Sequence, residues 1–111
     1  MRTLLLVEDD PDQLGVRTML LEREGFNVLA ETDADQAAAR IEARLPDVVV
    51  MDLRLPLMED GLRLIAAIGA RVPVIVLTGG HAPDLPVARV LHKPCRTRIL
   101  LDVIGEVMGG G

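Results

Sequence analysis

Polar groups suited to phosphoryl chemistry stand directly after four short apolar runs in this chain. Leu4, Leu5, Leu6 and Val7 lead into Glu8, Asp9 and Asp10; Val48, Val49, Val50 and Met51 lead into Asp52. Val74, Ile75, Val76 and Leu77 lead into Thr78, and Val90, Leu91 and His92 lead into Lys93 and Pro94. Three converging carboxylates are strained on their own: two like charges about 4 Å apart repel by ~1 kcal/mol in water and ~4 kcal/mol at a dielectric of about 20. A divalent cation relieves that strain. Mg2+ (or Mn2+) suits the set, because Mg2+ takes one or two carboxylates together with waters and a phosphate oxygen. A metal so held neutralises charge on an incoming phosphoryl group. The nearest carboxylate can then act as a nucleophile and form an aspartyl phosphate. Thr78 can hydrogen-bond one phosphoryl oxygen and Lys93 can pair with another.

Each of these residues also has a plainer use. Asp9 or Asp10 can cap a helix and complement its dipole, Asp52 can end a strand in a turn, and Lys93 can be a solvated strand end. His81 and His92 have no partners at metal-ligand spacing. Only the joint placement of the four groups argues for a site.

Continuous apolar runs bounded by turn signals read as parallel strands buried on both faces, and ligands of such sheets bind at the carboxyl ends of the strands. Between the runs the sequence predicts helices. Asp10 and Pro11 open one over about 11–24, which Gly25 ends. Residues 26–30 alternate and read as the second strand, with Phe26 and Val28 on one face. Thr32 or Asp33 caps a second helix through Arg44, with Ala37, Ala38, Ile41 and Leu45 as its apolar stripe, stopped by Pro46. The third strand is expected over 47–51, a loop containing Pro56 over 54–59, and a third helix over about 60–70 that buries Leu62, Ile65 and Ile68. A last helix is expected over about 96–108. Where another crossover helix would fall, residues 79–86 carry two adjacent glycines and two prolines. This segment reads as an irregular loop. The pattern is α/β, with repeated strand–helix–strand units and a parallel sheet covered on both faces.

The length of 111 residues argues for one domain, residues 1–108, followed by a flexible glycine tail at 109–111. Half of the residues are apolar, but Phe26 is the only aromatic one. A formal charge of −5 disfavours nucleic-acid binding through a basic surface. The single Cys95 can form no internal disulfide, which fits a reducing cytoplasm. No run approaches the about 18 apolar residues of a membrane span. The expectation is a cytoplasmic domain with no nucleic-acid or membrane partner.

Taken together, Glu8-Asp9-Asp10, Asp52-Leu53-Arg54-Leu55-Pro56, Thr78-Gly79 and Lys93-Pro94 resemble the signature of response-regulator receiver domains, over essentially the whole chain. The resemblance implies a flavodoxin-like, doubly wound five-stranded parallel sheet of order 2-1-3-4-5, here with four helices rather than five. It implies that Asp52 accepts a phosphoryl group from a histidine kinase or histidine phosphotransfer protein, by a self-catalysed transfer rather than as a turnover enzyme. Asp9, Asp10, Asp52 and the backbone carbonyl of Arg54 would hold Mg2+. Thr78 would be the switch hydroxyl, and Lys93 would contact the phosphoryl group beside a cis bond to Pro94. The start of the first helix (Gln13, Leu14, Arg17) and the loop near Pro94 would form the kinase-docking surface.

Three departures bear on the mechanism. Val90 stands where receivers usually carry an aromatic rotamer switch, so a ring-swing coupling is unavailable. The segment that replaces the fourth helix is similar to that of a receiver subfamily with a Phe-Ala-Thr-Gly motif, although Val76-Leu77-Thr78-Gly79 differs at the first two positions. The loop after Asp52 is one residue longer than the common pattern. The implied switch is a reordering of residues 79–89. In the last helix, Ile99, Leu100, Leu101, Val103, Ile104, Val107 and Met108 cover an arc of roughly 200°, wider than a core-facing stripe needs, which offers a homodimer or partner face.

The reading is a stand-alone phosphoacceptor whose output is contact with a downstream protein, or phosphoryl flow as a relay or sink. Its rivals are an unphosphorylated pseudo-receiver serving as an interaction module and an aspartyl-phosphate hydrolase. Arg54 occupies the position where such hydrolases place a general acid, which disfavours the latter.

Overall fold

A computed structural model describes residues 1–109. Five strands, β1 (Thr3–Val7), β2 (Asn27–Glu31), β3 (Val48–Asp52), β4 (Val74–Thr78) and β5 (Arg89–His92), form one sheet of order β2-β1-β3-β4-β5. All four strand pairs are parallel. The helices are α1 (Pro11–Arg23), α2 (Ala34–Ala43), α3 (Met58–Ile68) and α4 (Thr97–Gly109). None is long and apolar enough to cross a membrane. The doubly wound topology is the one implied by the resemblance, the helix count is the one expected from the glycines and prolines of 79–86, and the carboxyl ends of β1 and β3 form the switch point. Of the expected tail, Gly109 closes α4 and residues 110–111 lie outside the described residues.

The strands are apolar throughout because the sheet is buried on both sides, yet successive residues serve different cores. Leu5, Val7, Val49, Met51, Val74 and Val76 face α2 and α3, where Ala37, Ile41, Leu64 and Ile68 meet them. Leu4, Leu6, Val48, Val50, Ile75 and Leu77 face α1 and α4. Phe26 and Val28 share this second side, as their spacing predicts.

The helix ends follow local chemistry. Asp10 caps α1, its carboxylate accepting from the backbone N–H groups of Asp12 and Gln13, and Gly25 follows the helix with φ 97°. Asp33, not Thr32, caps α2. That helix stops at Ala43, short of the expected Arg44. Pro46 disfavours helical backbone at the residue before it, and Arg44 is already extended. Leu45 is therefore swung out of the stripe and is 49% exposed.

In α3 the start lies at Met58 rather than near residue 60, because Asp60 is the third residue of the helix and its Oδ2 accepts from the Leu57 N–H at 3.1 Å. The buried stripe runs through Gly61, Leu64, Ile65 and Ile68 at i, i+3, i+4 and i+7, which leaves Leu62 turned outward, against expectation.

Residues 79–88 contain neither helix nor strand, as their glycines and prolines predict. The segment is nonetheless anchored. Ala82, Leu85 and Val87 pack with Val90 onto the core face that a helix would otherwise cover, and the Ala88 N–H donates to the Val74 carbonyl at 2.9 Å. In α4, Leu100, Val103 and Ile104 are buried, while Leu101, Val107 and Met108 pack partly buried onto the same core. Ile99 alone of the seven is largely exposed, at 48%, so the surplus face is narrower than the arc suggests.

Candidate functional site

All five strands end on one side of the sheet, and four of those ends, of β1, β3, β4 and β5, deliver polar groups to one place. Parallel register aligns them: Asp52 sits opposite Leu77, and Thr78 opposite His92. The backbone continues the ladder past the strand ends, with Leu53 N–H donating to the Leu77 carbonyl at 3.1 Å and Lys93 N–H to the Thr78 carbonyl at 2.8 Å. The result is a cleft of about 380 Å3 lined by Glu8, Asp9, Asp10, Asp52, Arg54, Thr78 and Lys93, among others. The Lys93–Pro94 bond beside it is cis.

Among the described residues, the buried polar ones are Glu8, Asp52 and Thr78. Lys93 reaches across the cleft, its Nζ 2.8 Å from Asp52 Oδ1 and 3.5 Å from Glu8 Oε2. Arg17, from α1, brings Nη1 to 3.4 Å from the same Glu8 oxygen, and the Asp10 N–H donates to Glu8 Oε1 at 3.3 Å. Asp52 Oδ1 is buried and its cationic neighbour is the Lys93 ammonium. Carboxylate oxygens of Glu8, Asp9 and Asp52 all lie within 4.8 Å of one another.

This crowding sets the protonation. Burial, then the neighbouring Glu8 carboxylate, push the Asp52 carboxyl up to about 7, against the pull of Lys93. Burial also pushes Glu8 upward, but its hydrogen bond with Asp52, together with Lys93, the Asp10 N–H and Arg17, holds it below the ordinary carboxylate range. Burial works against the Lys93 charge, yet its two carboxylate partners hold it above the usual ammonium value. Without a cation, and below about pH 7, the shared proton rests on Asp52 beside Glu8.

Asp52, Thr78 and Lys93 come together as their spacing predicts. Thr78 Oγ1 accepts from the Gly80 N–H at 3.3 Å and donates to the Gly80 carbonyl at 3.4 Å, tying the hydroxyl to the start of the 79–88 loop. Asp9 joins the acidic cluster and Arg54 lines the cleft. Asp10 differs from expectation. It borders the cleft, but its Oδ1 serves the α1 N-cap, and the third member of the converging cluster is Glu8. The signal was in the sequence: Asp10-Pro11 is a cap-plus-first-turn pair, which leaves Glu8 and Asp9 for the cleft. Asp10→Ala will therefore lower stability by about 1 kcal/mol and, if the cluster takes a divalent cation, leave that binding in place. Asp9→Ala will weaken that binding by about tenfold or more. Urea melts and Mn2+ titrations of the two variants read both effects.

Comparison with known proteins agrees with this geometry. Residues 4–104 match the family described as the response regulator receiver domain. The nitrogen assimilation regulatory protein NtrX of Azorhizobium caulinodans is 35% identical over 91 aligned positions, covering 78% of this chain and 20% of that protein. The virulence-factor transcription regulator BvgA of Bordetella pertussis is 36% identical over 119 aligned positions, covering 96% of this chain and 56% of that protein. The chain thus spans between 20% and 56% of the length of these curated relatives. A CheY-like response regulator receiver domain protein from Methanospirillum hungatei superposes with a TM-score of 0.90 at 26% identity, covering 99% of this chain and 95% of that one. With its 2-1-3-4-5 sheet and its acidic cleft at the switch point, this chain belongs to the response-regulator receiver domain family.

Proposed function

We propose that this receiver domain accepts a phosphoryl group on Asp52, in a Mg2+-dependent transfer from the phosphohistidine of a cytoplasmic histidine kinase or histidine phosphotransfer protein. The observation that carries the reading is the buried Asp52 carboxylate, with Lys93 Nζ at 2.8 Å and two further carboxylates beside it. Three hard carboxylate oxygen donors within 4.8 Å of one another fit a small oxygen-preferring dication. Glu8, Asp9 and Asp52 would hold it, with the Arg54 carbonyl at the cleft rim. When bound, Mg2+ neutralises charge on the phosphoryl oxygens and lets Asp52 ionise.

An oxygen of ionised Asp52 attacks phosphorus, and the bond from phosphorus to the donor imidazole nitrogen breaks. The electron pair stays on that nitrogen, which takes up a proton, and an acyl phosphate remains on Asp52. Lys93 exchanges its carboxylate partner for a phosphoryl oxygen, and the Thr78 hydroxyl turns toward another. That turn removes the acceptor of the Gly80 N–H. With Val90 in place of an aromatic switch, the reordering then passes into residues 79–89, where a downstream protein can read it. Beryllofluoride binding will change amide exchange across 79–89, and unchanged exchange there would rule out this switch.

Incubation with acetyl phosphate and Mg2+, followed by intact mass measurement, tests the acceptor reading. One added phosphoryl group is expected, lost on chelation of Mg2+ and absent in Asp52→Asn. No adduct, together with no Mg2+ or beryllofluoride binding, would favour the unphosphorylated interaction module.

A further inference from the structure

We propose that Arg17 is a positioning residue of the acidic cleft: it holds the Glu8 carboxylate and thereby sets how tightly the cluster takes a divalent cation. The inference rests on the reading of that cluster as a cation site.

Glu8 is almost wholly enclosed, its side chain 3% exposed, so water cannot neutralise it and the protein must. Its Oε2 has two cationic neighbours, Arg17 at 3.4 Å and Lys93 at 3.5 Å. Lys93 is shared and lies much closer to Asp52, at 2.8 Å. The only carboxylate that Arg17 meets among the described residues is Glu8. The guanidinium is itself mostly covered, its side chain 18% exposed, because α1 presents it inward from the helix's second turn. Its other side lines a groove of about 300 Å3 with Val16, Leu20 and Thr97. Arg17 therefore forms a groove wall with its stem and carries the counter-charge of a metal-site carboxylate at its tip.

That arrangement has a definite sign. A dication entering the cluster must share Glu8 with a fixed positive charge, so Arg17 lowers the cluster's affinity while keeping Glu8 in place before the cation arrives. Removing the guanidinium leaves the cluster one charge more negative. At this separation, with partial solvent screening, that change is worth about threefold to tenfold in cation affinity. A residue that merely supported the fold would act in the opposite direction, because a loosened cluster binds more weakly.

Titration of the full chain with Mn2+, followed by the electron paramagnetic resonance signal of free Mn2+, reads this directly. Arg17→Met, which keeps an apolar stem along the groove, is expected to bind about threefold to tenfold more tightly than the wild type. Arg17→Lys, which restores the charge, is expected to return affinity to within about twofold. Circular dichroism checks the fold, and Arg17→Gln replaces the Met variant if that variant unfolds. A folded neutral variant that binds Mn2+ equally or more weakly overturns the role of Arg17 alone. A wild-type protein that binds no Mn2+ overturns the cation-site reading and this inference with it.

Discussion

Asp52→Asn will make the metal-free protein more stable at about pH 8 by about 1–3 kcal/mol, and will leave its stability nearly unchanged at about pH 4. The sign follows from where the proton sits. In the unfolded chain Asp52 ionises near its ordinary 3.8, whereas in the folded protein burial and Glu8 hold its proton until about pH 7. Between those values the folded state binds more protons than the unfolded one, so wild-type stability falls as pH rises through that window and the loss is complete above it. Asparagine carries no charge at any pH and escapes the penalty. Its amide can also donate toward Glu8, which a buried carboxylate cannot. Urea melts in a chelating buffer at the two pH values measure the difference. Adding Mg2+ at about pH 8 should close the gap by stabilising the wild type alone, through mass action on the folded state. A gap independent of pH would mean that Asp52 is not strained by its neighbours.

The second large effect lies at Gly61. A methyl group built there would overlap the Leu53 backbone carbonyl, which no rotamer change can move. Gly61 is buried in α3 and touches the loop that leads directly away from Asp52. Gly61→Ala must therefore push α3 off the sheet or displace residues 53–57, at a cost of about 3 kcal/mol or more. The displaced loop carries Arg54 and Pro56 of the cleft, so Mn2+ affinity should fall with stability. Gly15 is the control. It is also helical, nothing lies within 4 Å of its built methyl, and Gly15→Ala should stabilise by up to about 1 kcal/mol. Equal effects at the two positions would refute the close approach at Leu53.

The same two sites show what could be read from residue types and what could not. Asp52, Thr78 and Lys93 were legible because each interrupts an apolar run, and parallel strands bring run ends together. The missing helix was legible because Gly79-Gly80 and the prolines after it forbid one. Glu8 was obscured, since three adjacent acids look alike until Asp10 is assigned to the α1 cap. The start of α3 depended on Asp60 bonding backward to Leu57, and its buried face on Gly61, which lies against the Leu53 backbone and puts Leu64 rather than Leu62 inside. Leu45 turned outward because Pro46 reaches back to unwind the helix before it. Periodicity located these elements. Caps and breakers, which act over two or three residues, decided which side chains they bury.

Borohydride reduction tests the central claim most directly. It converts an acyl phosphate on aspartate into homoserine, so protein treated with acetyl phosphate and Mg2+ can be reduced, digested and mapped by mass. Homoserine at position 52, absent without Mg2+, is the predicted result. Homoserine at Asp9 or Asp10, or phosphate surviving on a residue elsewhere, would contradict the assignment of Asp52 as the acceptor.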